Sequence, residues 1–527
     1  MKRPWVLHPL LFAAFPVLFL YAQNLDQLSL SQAWPSLRLV CGSSLLLFLL
    51  FALILRNAKK AGIIVSLFFL LFFSYSHAVN LLSDGSLSLH GLDVHWIVFI
   101  VWCLVFLGVT ALIVRTGRAL DDATRILNVT ALALISISLV NIGIHEFRAP
   151  ATGEVRSRVQ LAELPPAQNI PESELPNIYY IILDAYGRAD VLADLYQYDN
   201  TEFLTYLREQ GFYIAGQSRS NYAQTDQSLA SSLNVGYLDN LAAEIGPDSA
   251  DRKPMQALIQ DSAVVQFLKE HGYTIVALSS VYEAADLRTI DVYKGQRRTL
   301  NVLELGVFVS TPLPWLMYRE IGASPYDPHR QTILSAFDHL ADAADLPGPH
   351  FVFAHILLPH PPFVFDRYGN EIVPEGDYSL WDGEPFLRNA SREEYVRGYT
   401  EQLIFANSRL RIVLDELLAR SSRPSIVVLQ ADHGPGSLLY WHDCDNACLN
   451  ERFSILNAYL LPGTGSAELY PGISPVNTFR LIFNQYLGAD LDLLEDRSYF
   501  SLWERPYQYT DVTGAVRCTG PACSPQE

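Results

Sequence analysis

The chain has 527 residues, 50% of them hydrophobic, and a mean hydropathy of +0.16. It is longer than one ordinary domain, and this hydropathy is unusual for a soluble protein, which points to membrane segments. Residues 1–150 carry 10 Lys and Arg against 6 Asp and Glu, whereas the remainder carries 27 against 49 and is strongly acidic. This acidity argues against nucleic-acid binding and against a polybasic contact with anionic lipid.

Five apolar stretches predict an N-terminal α-helical membrane domain over residues 1–147. Each stretch is near the length of about 20 residues that a helix needs to cross a bilayer. A cleaved signal peptide is the alternative for the first stretch, but no clear small-residue cleavage site follows it. The predicted spans are residues 5–22, 39–55, 61–82, 95–114 and 126–145.

Basic residues alternate between the two ends of these stretches. Lys and Arg precede the first span and lie between the second and third and between the fourth and fifth, whereas the loops at 23–36 and 83–94 contain none. Arg38, at the start of the second span, is the one exception. Because cytoplasmic loops carry the excess of Lys and Arg, the pattern predicts a multi-pass protein of the cytoplasmic (inner) membrane. Its N-terminus is expected in the cytoplasm and its C-terminal part in the periplasm.

The cysteines agree with that topology. Cys444/Cys448 and Cys518/Cys523 are close pairs in the external part, and in an oxidising compartment they predict two local disulfides. The alternative is a zinc site that uses His442, Cys444 and Cys448, although no fourth ligand is obvious.

Residues 148–176 are predicted to be a linker, because they hold five prolines and no periodic apolar pattern. Over residues 177–510, apolar strands alternate with amphipathic helices, which predicts an α/β domain with a mostly parallel sheet flanked by helices. Residues 511–527 form a tail that carries the second cysteine pair. The strand candidates are residues 178–183, 213–215, 274–278, 351–356 and 426–429, and the helix candidates are 201–210, 261–271, 330–344 and 393–420.

Metal-capable side chains follow two of the predicted strands. Asp184 follows YYIIL, and Asp432 and His433 follow IVVLQA, with a glycine at 434. The carboxyl ends of parallel strands meet at one edge of a sheet, so these side chains are expected to share one divalent metal. Carboxylate and imidazole ligands favour Zn²⁺ or Mn²⁺ over Ca²⁺ or Mg²⁺. The alternatives are a helix N-cap for Asp184 and an ordinary strand-to-loop junction for the other two.

The candidate nucleophile is Thr225, in the stretch SNYAQTDQSLASS. A hydroxyl is a weak nucleophile until a metal or a base lowers its pKa. Thr225 is expected close to a helix N-terminus, where phosphate is favoured, although it would also serve there as an ordinary N-cap. His355, His360 and His442 are candidate substrate contacts, and of the first two His360 has the better position in its loop.

Taken together, the stretches ILDAYG, NYAQT, PHPPF and LQADHG resemble the sulfatase-like branch of the alkaline phosphatase superfamily. With the predicted spans, the architecture is similar to the lipoteichoic acid synthases and the lipid A phosphoethanolamine transferases. The resemblance implies that Asp184, Thr225, Asp432 and His433 bind the metal and that Thr225 is also the nucleophile. It further implies substrate contacts at His360 and His442, which could also hold a second metal.

The activity implied by the resemblance is a metal-dependent phosphotransferase at the outer face of the membrane. It would move a phospholipid headgroup, of phosphoethanolamine or phosphoglycerol type, to an envelope acceptor through a phospho-Thr intermediate. The chain lacks the C/S-x-P-x-R motif that sulfatases convert to formylglycine, so sulfate-ester hydrolysis by that route is not expected. A phosphate- or sulfate-ester hydrolase remains one alternative, and a non-catalytic membrane interaction protein is another.

Overall fold

The computed structural model describes residues 4–83, 93–148, 162–287, 290–296, 300–322, 324–374 and 378–516. The chain divides into two compact units. The first unit combines Met1–Pro150 with Arg298–Pro325, and the second combines Ala151–Arg297 with Tyr326–Glu527. The first unit therefore includes a segment from within the sequence range predicted for the catalytic domain.

The first unit begins with five helices: α1 His8–Gln23, α2 Leu30–Leu55, α3 Ala58–Ser83, α4 Val94–Arg115 and α5 Asp121–Arg148. By length and composition, α2 to α5 can each cross a membrane, which marks the chain as an integral membrane protein. Helix α1 has 16 residues and is about 24 Å long, which is shorter than the hydrocarbon core of about 30 Å. The predicted number of five spans is therefore not confirmed.

The second unit is an α/β domain with one main sheet. The seven strands of that sheet are β1 Asn177–Leu183, β2 Tyr213–Ile214, β3 Thr274–Leu278, β4 Val292–Lys294, β5 His350–Ile356, β6 Ser425–Gln430 and β7 Asn457–Leu460. Their spatial order is β2-β7-β6-β1-β5-β3-β4, and only β7 runs opposite to the other six strands, pairing antiparallel with β2 and β6. The predicted mostly parallel sheet is confirmed, whereas β4 and β7 were not predicted. A second, two-stranded sheet pairs β8 Tyr499–Phe500 with β9 Thr510–Asp511.

Helices cover the main sheet on both faces. Tyr179, Ile181 and Leu183 of β1 enter one hydrophobic core, and Ile178, Tyr180 and Ile182 enter the other. Burial on both faces explains why the central strands are continuous apolar runs rather than alternating patterns.

The remaining helices, in chain order, are α6 Ala189–Tyr196, α7 Thr201–Glu209, α8 Thr225–Ser232, α9 Asp239–Ile245, α10 Lys253–Gln260, α11 Ala263–Glu270, α12 Val302–Val309, α13 Leu313–Ile321, α14 Asp327–Asp342, α15 Glu384–Leu387, α16 Arg392–Arg420, α17 Leu449–Phe453 and α18 Pro475–Tyr486.

One predicted disulfide is wrong. Cys448 is disulfide-bonded, but Cys444 carries a free thiol, so these two residues do not pair with each other. The bonded state of Cys448 also removes it as a ligand of the alternative zinc site. The predicted Cys518/Cys523 pair lies outside the described residues.

Candidate active site

The site begins with the register of the three central strands. Ile182 of β1 is the partner of Gln430 on β6 and of His355 on β5. Asp184 comes two residues after Ile182, and Asp432 comes two residues after its partner Gln430. The two aspartates therefore lie at the same level beyond the carboxyl ends of neighbouring strands. This register explains why two aspartates that are 248 positions apart meet at one edge of the sheet.

Asp184, Asp432 and His433 form a compact cluster. One ligand atom from each lies within 4.8 Å of the others, and no other such group is found in the part of the chain that the structure describes. Nε2 of His433 is 3.6 Å from Oδ1 of Asp184 and 3.3 Å from Oδ2 of Asp432. All three side chains are buried.

The backbone determines which nitrogen of His433 faces this cluster with a lone pair. Nδ1 lies 3.0 Å from the carbonyl oxygen of Gly434. Because a carbonyl only accepts, Nδ1 carries the proton and Nε2 has the free lone pair in the neutral ring. Metal-binding histidines are commonly oriented in this way, by donating from the other ring nitrogen to a carbonyl.

Thr225 is the first residue of α8 and presents its hydroxyl to the same nitrogen. Its Oγ1 is 3.0 Å from Nε2 of His433. Between Ser220 and Ser232 every residue is buried except Thr225, which is partly exposed. In this segment the geometry therefore leaves one hydroxyl that is both next to the cluster and open to a substrate.

A buried polar network lies behind Thr225. The carboxylate of Asp226 is 3.3 Å from Nη1 of Arg252 and accepts from the hydroxyl of Tyr282. Arg252 also donates to Oε1 of Gln224 at 2.7 Å, and its guanidinium lies 3.9 Å from the ring centre of Trp503. Both neighbours of Thr225 in the sequence are thus held by Arg252, which restrains the start of α8.

The electrostatics of the cluster differ strongly from those of exposed groups. Burial raises the pKa of Asp184 well above its ordinary value, and the nearby Asp432 carboxylate raises it further. Burial also raises the pKa of Asp432 to about 6. Burial, with Arg452 and His360 nearby, holds the pKa of His433 well below its ordinary value. Two carboxylates and a neutral imidazole in a buried space favour a cation between them.

Arg452 connects the loop that carries His433 to the segment that precedes Thr225. It donates from Nε to the carbonyl of Ala223 at 2.8 Å and from Nη1 to the carbonyl of Gly434 at 3.0 Å. Its charge is balanced by Asp382, with Nη1 2.7 Å from Oδ2, and both side chains are buried. No motif in the sequence indicates this pair, because Asp382 lies in a loop and Arg452 lies in α17, 70 positions further along the chain.

Gly434 allows the chain to turn immediately after His433. A Cβ atom on this residue would lie 2.1 Å from the carbonyl oxygen of Glu451 and 3.0 Å from that of Ser454. Both contacts are with backbone atoms, which cannot rotate away. The glycine is therefore required by close approach of the chain to itself.

The three histidine candidates lie in different surroundings. His360 is buried, with its ring centre 6.2 Å from that of His433 and its Nδ1 2.5 Å from the carbonyl of Pro361. His442 is half exposed and contacts Glu504 at 3.0 Å. His355, which the sequence ranked below His360, has Nε2 3.4 Å from Oδ2 of Asp184 and Nδ1 3.0 Å from the Ser280 hydroxyl.

His355 is therefore the contact that sequence reasoning undervalued. Its signal was its position one residue before the end of β5, on the strand next to β1. Burial lowers the pKa of His355 to about 3. A neutral imidazole beside the Asp184 carboxylate adds no charge to the cluster.

The family model named Sulfatase matches residues 176–445, which is just over half of the chain. The chain belongs to the sulfatase family, within the alkaline-phosphatase-like branch to which the sequence motifs pointed. It is accordingly an enzyme of a family that acts on sulfate or phosphate esters. No curated protein matches the sequence at a significant level.

Several solved structures are similar to parts or most of the chain. The integral membrane lipooligosaccharide phosphoethanolamine transferase A (EptA) from Neisseria meningitidis has 15% identity and a TM-score of 0.39, with 91% of this chain and 95% of that chain covered. The C-terminal periplasmic domain of EcEptC from Escherichia coli, in complex with Zn, has 14% identity and a TM-score of 0.43, with 66% and 96% covered. A putative sulfatase from Bacteroides thetaiotaomicron has 11% identity and a TM-score of 0.40, with 64% and 75% covered. Likenesses of this size carry no conclusion about what this chain binds or transfers.

Proposed function

We propose that this chain is a metal-dependent phosphotransferase of the outer face of the cytoplasmic membrane. It moves a phospholipid headgroup, of phosphoethanolamine or phosphoglycerol type, to an envelope acceptor through a phosphorylated Thr225. The observation that supports this most directly is the contact of the partly exposed Thr225 hydroxyl with His433, inside a cluster of two buried carboxylates.

The residues of the cluster fit a divalent cation. Oδ1 of Asp184 and Oδ2 of Asp432 are buried and have no hydrogen-bond partner. A buried carboxylate oxygen without a partner is costly, and a lone pair of His433 that faces two carboxylates adds repulsion. We assign Asp184, Thr225, Asp432 and His433 as the ligands, with Zn²⁺ or Mn²⁺ favoured by the mixed oxygen and nitrogen set. When bound there, the cation lowers the pKa of the Thr225 hydroxyl and offsets charge on the phosphoryl oxygens.

The reaction follows as two displacements at phosphorus. Oγ1 of Thr225 forms the new P–O bond, the P–O bond to the diacylglycerol oxygen breaks, and the proton lost by Thr225 ends on that leaving oxygen. In the second displacement an acceptor hydroxyl attacks the phospho-Thr, the bond between phosphorus and Oγ1 breaks, and Thr225 regains a proton. Splitting one difficult transfer into two steps is the general advantage of a covalent intermediate.

His360 is assigned to the second displacement. Its Nδ1 must donate to the Pro361 carbonyl, because that oxygen only accepts, so Nε2 is available to take a proton. Burial lowers the pKa of His360, which keeps the ring neutral and able to act as a base toward the acceptor hydroxyl. His442, which is half exposed beside Glu504, is proposed as a further substrate contact.

The membrane helices support a phospholipid donor and a periplasmic site. Those helices hold the second unit to the bilayer by the chain itself, so a lipid headgroup is the phosphodiester at highest local concentration. The alternation of Lys and Arg between the ends of the spans directs the N-terminus to the cytoplasm.

The test uses the full chain in proteoliposomes with a phospholipid labelled in its headgroup. Wild-type protein should release the labelled headgroup from the phospholipid and leave diacylglycerol, and Thr225→Ala and chelation should each abolish this release. Omission of the acceptor distinguishes transfer from hydrolysis, because a hydrolase continues to turn over and yields the free phosphorylated headgroup. Release that survives in both Thr225→Ala and chelator would rule out the proposal. A non-catalytic protein would show neither release nor stoichiometric metal after purification without chelator.

A further inference from the structure

The helical pair α12 and α13 comes from the middle of the sequence of the α/β domain but belongs to the membrane-helix unit. We propose that this hairpin, residues 300–321, is a second membrane-binding element that lies in the outer interface of the bilayer with its exposed apolar side chains among lipids. The proposal does not depend on the reaction assigned above.

The composition of the hairpin is that of an interfacial segment. From Val302 to Ile321 the sequence is VLELGVFVSTPLPWLMYREI, and its charged residues are Glu304, Arg319 and Glu320. Glu304 is used locally, since it forms a capping box with Asn301 at the start of α12. The run is interrupted by Ser, Thr and two Pro, so it forms two short helices and cannot cross a bilayer as one span.

One face of α12 packs on the membrane helices. Leu303 and Val307, one helical turn apart, are buried in a hydrophobic core with residues of α1, α2 and α3 that include Val17, Val40 and Phe69. The hairpin is therefore packed directly against the apolar helices of the first unit.

Other apolar side chains of the hairpin, on both of its helices, remain exposed. Among the described side chains of this segment, the large apolar ones that are exposed are Leu300, Val302, Val309, Leu313 and Met317. Over the described residues of the whole second unit, which is more than ten times longer, there are six. Such a concentration marks an interaction surface rather than the scattered apolar residues of an ordinary protein surface.

The contacts of the hairpin lie at one end of the membrane helices. The Ser76 hydroxyl donates to the carbonyl of Val309 at 2.6 Å, and Asn301 donates to the carbonyl of Gln32 at 3.1 Å. Arg319 is 3.0 Å from Asp93, just before α4. The partner residues Gln32, Ser76 and Asp93 lie at the start of α2, in the second half of α3 and just before α4, respectively.

The opposite ends of the same helices carry the basic residues. Arg56 follows α2, Lys59 and Lys60 lie at the start of α3, and Arg115 ends α4. The hairpin thus lies at the end that the charge distribution directs outward. This relationship depends on tertiary contacts and was not available from the pattern of the spans.

Aromatic side chains support a position at the membrane–water boundary. The ring centre of Trp315 is 5.5 Å from that of His95 and 4.8 Å from that of Trp96. The guanidinium of Arg319 lies 5.3 Å from the ring centre of Trp96. Tryptophan and arginine at the end of a span are typical anchors at the level of the lipid headgroups.

Lipid is the occupant that these observations favour over a second protein. Helix α12 lies against α2, whose own exposed side chains, such as Leu39 and Leu46, face the hydrocarbon if α2 spans the membrane. The apolar face of the hairpin extends that surface toward the headgroup region, as amphipathic interfacial helices do.

The test places a photoreactive benzophenone amino acid at Met317, or separately at Leu313, in the full chain reconstituted in phosphatidylethanolamine and phosphatidylglycerol vesicles. The controls are Leu104, which is exposed on α4 within the membrane region, and Val373, which is equally exposed on the second unit. Phospholipid adducts are measured by mass spectrometry of the labelled peptide after irradiation. Burial of one such side chain in lipid is favourable enough that phospholipid should be its usual neighbour. We therefore expect adduct yields at Met317 and Leu313 about tenfold above the yield at Val373 and close to the yield at Leu104.

Adducts at Met317 and Leu313 no more abundant than at Val373 would overturn the proposal. Protein–protein crosslinks that dominate at both positions would overturn it as well, in favour of a second copy or another protein on this face. Because both substitutions are at exposed sites and are scored independently, loss of folding in one variant leaves the other decisive.

Discussion

The Thr225 hydroxyl and His433 meet across 208 positions of sequence, with Oγ1 3.0 Å from Nε2. Nε2 of His433, which faces Thr225, is unprotonated because Nδ1 carries the proton and donates it in a hydrogen bond to the Gly434 carbonyl. Thr225→Ser keeps the oxygen and should retain a measurable part of headgroup release, whereas Thr225→Ala should lose at least about 10³-fold. Mass spectrometry under turnover should find the adduct on Thr225 in the wild-type protein. A wild-type adduct on another residue would contradict the assignment.

Metal removal should reverse the order of stability of the wild type and Asp184→Asn. Without metal, the asparagine variant should be at least as stable as the wild type, because it relieves repulsion between two buried carboxylates whose pKa values are both raised. With metal at about a thousand times its Kd, the wild type should gain about 4 kcal/mol, and the variant much less. Thermal unfolding in detergent, with and without chelator, measures which of the two proteins is more stable in each condition. An equal response to metal in the two proteins would exclude Asp184 as a ligand.

Gly434→Ala should disrupt the loop that carries His433. The added methyl group would meet the carbonyl oxygen of Glu451 at 2.1 Å, so the backbone must move, at a cost of about 1–3 kcal/mol. We expect weaker metal binding together with a lower unfolding temperature. The matched control is Gly216→Ala in the same unit, because nothing lies within 4 Å of its added Cβ. Similar effects of the two substitutions would show that the close approach is not the cause.

Arg452→Met should be strongly destabilising because it leaves the buried Asp382 carboxylate without its partner. Removal of one member of a buried ion pair typically costs about 3–5 kcal/mol. The double variant Arg452→Met, Asp382→Asn should recover part of that loss. Arg497→Met is the matched control, since Arg497 pairs with Glu495 at the exposed surface and such pairs contribute about 0–1 kcal/mol. Unfolding temperatures of the four proteins give the comparison.

The stability of the second unit should fall as the pH drops from 6.5 to 4. Burial lowers the pKa of His350 to about 4, so the folded protein stays neutral there while the unfolded chain takes up a proton. The unfolded state then binds more protons, and the free energy of unfolding decreases toward acid pH by up to about 3 kcal/mol from this residue. His350→Gln should reduce that slope.

The control for His350 is Tyr179→Phe. It removes the hydroxyl that lies 2.9 Å from Nε2 of His350 but keeps the imidazole, so the pH slope should remain. Unfolding temperatures of the three proteins between pH 4 and 7.5 measure the difference. A slope unchanged in His350→Gln would assign the acid sensitivity to other groups.

Much of this architecture could be read from local patterns. The alternation of apolar strands with amphipathic helices predicted a mostly parallel sheet, because parallel strands need a crossover connection between them. Asp184, Asp432 and His433 were recognisable because each follows an apolar run, at the edge where ligands of parallel sheets bind. The long apolar helices were equally evident, since length and hydropathy act along the sequence.

Other features depended on contacts between distant residues, which no local pattern records. Short edge strands such as β4 and β7 acquire their conformation from the neighbours with which they pair. Cys444 stands four positions from Cys448, and spacing alone predicted a bond that the fold does not make. Arg452 and Asp382 have no sequence signal, although together they hold both loops of the site.

The sequence by itself determined the class of the protein, the set of metal-capable residues and the presence of a membrane domain. Periodicity, hydropathy and motif chemistry are local quantities, and they need no knowledge of the fold. Only the tertiary structure decided that His355 stands beside Asp184, that Thr225 is the accessible hydroxyl of its segment, and that residues 300–321 pack on the membrane helices. These are relations of register, burial and exposure, which exist only when separate segments of the chain are brought together.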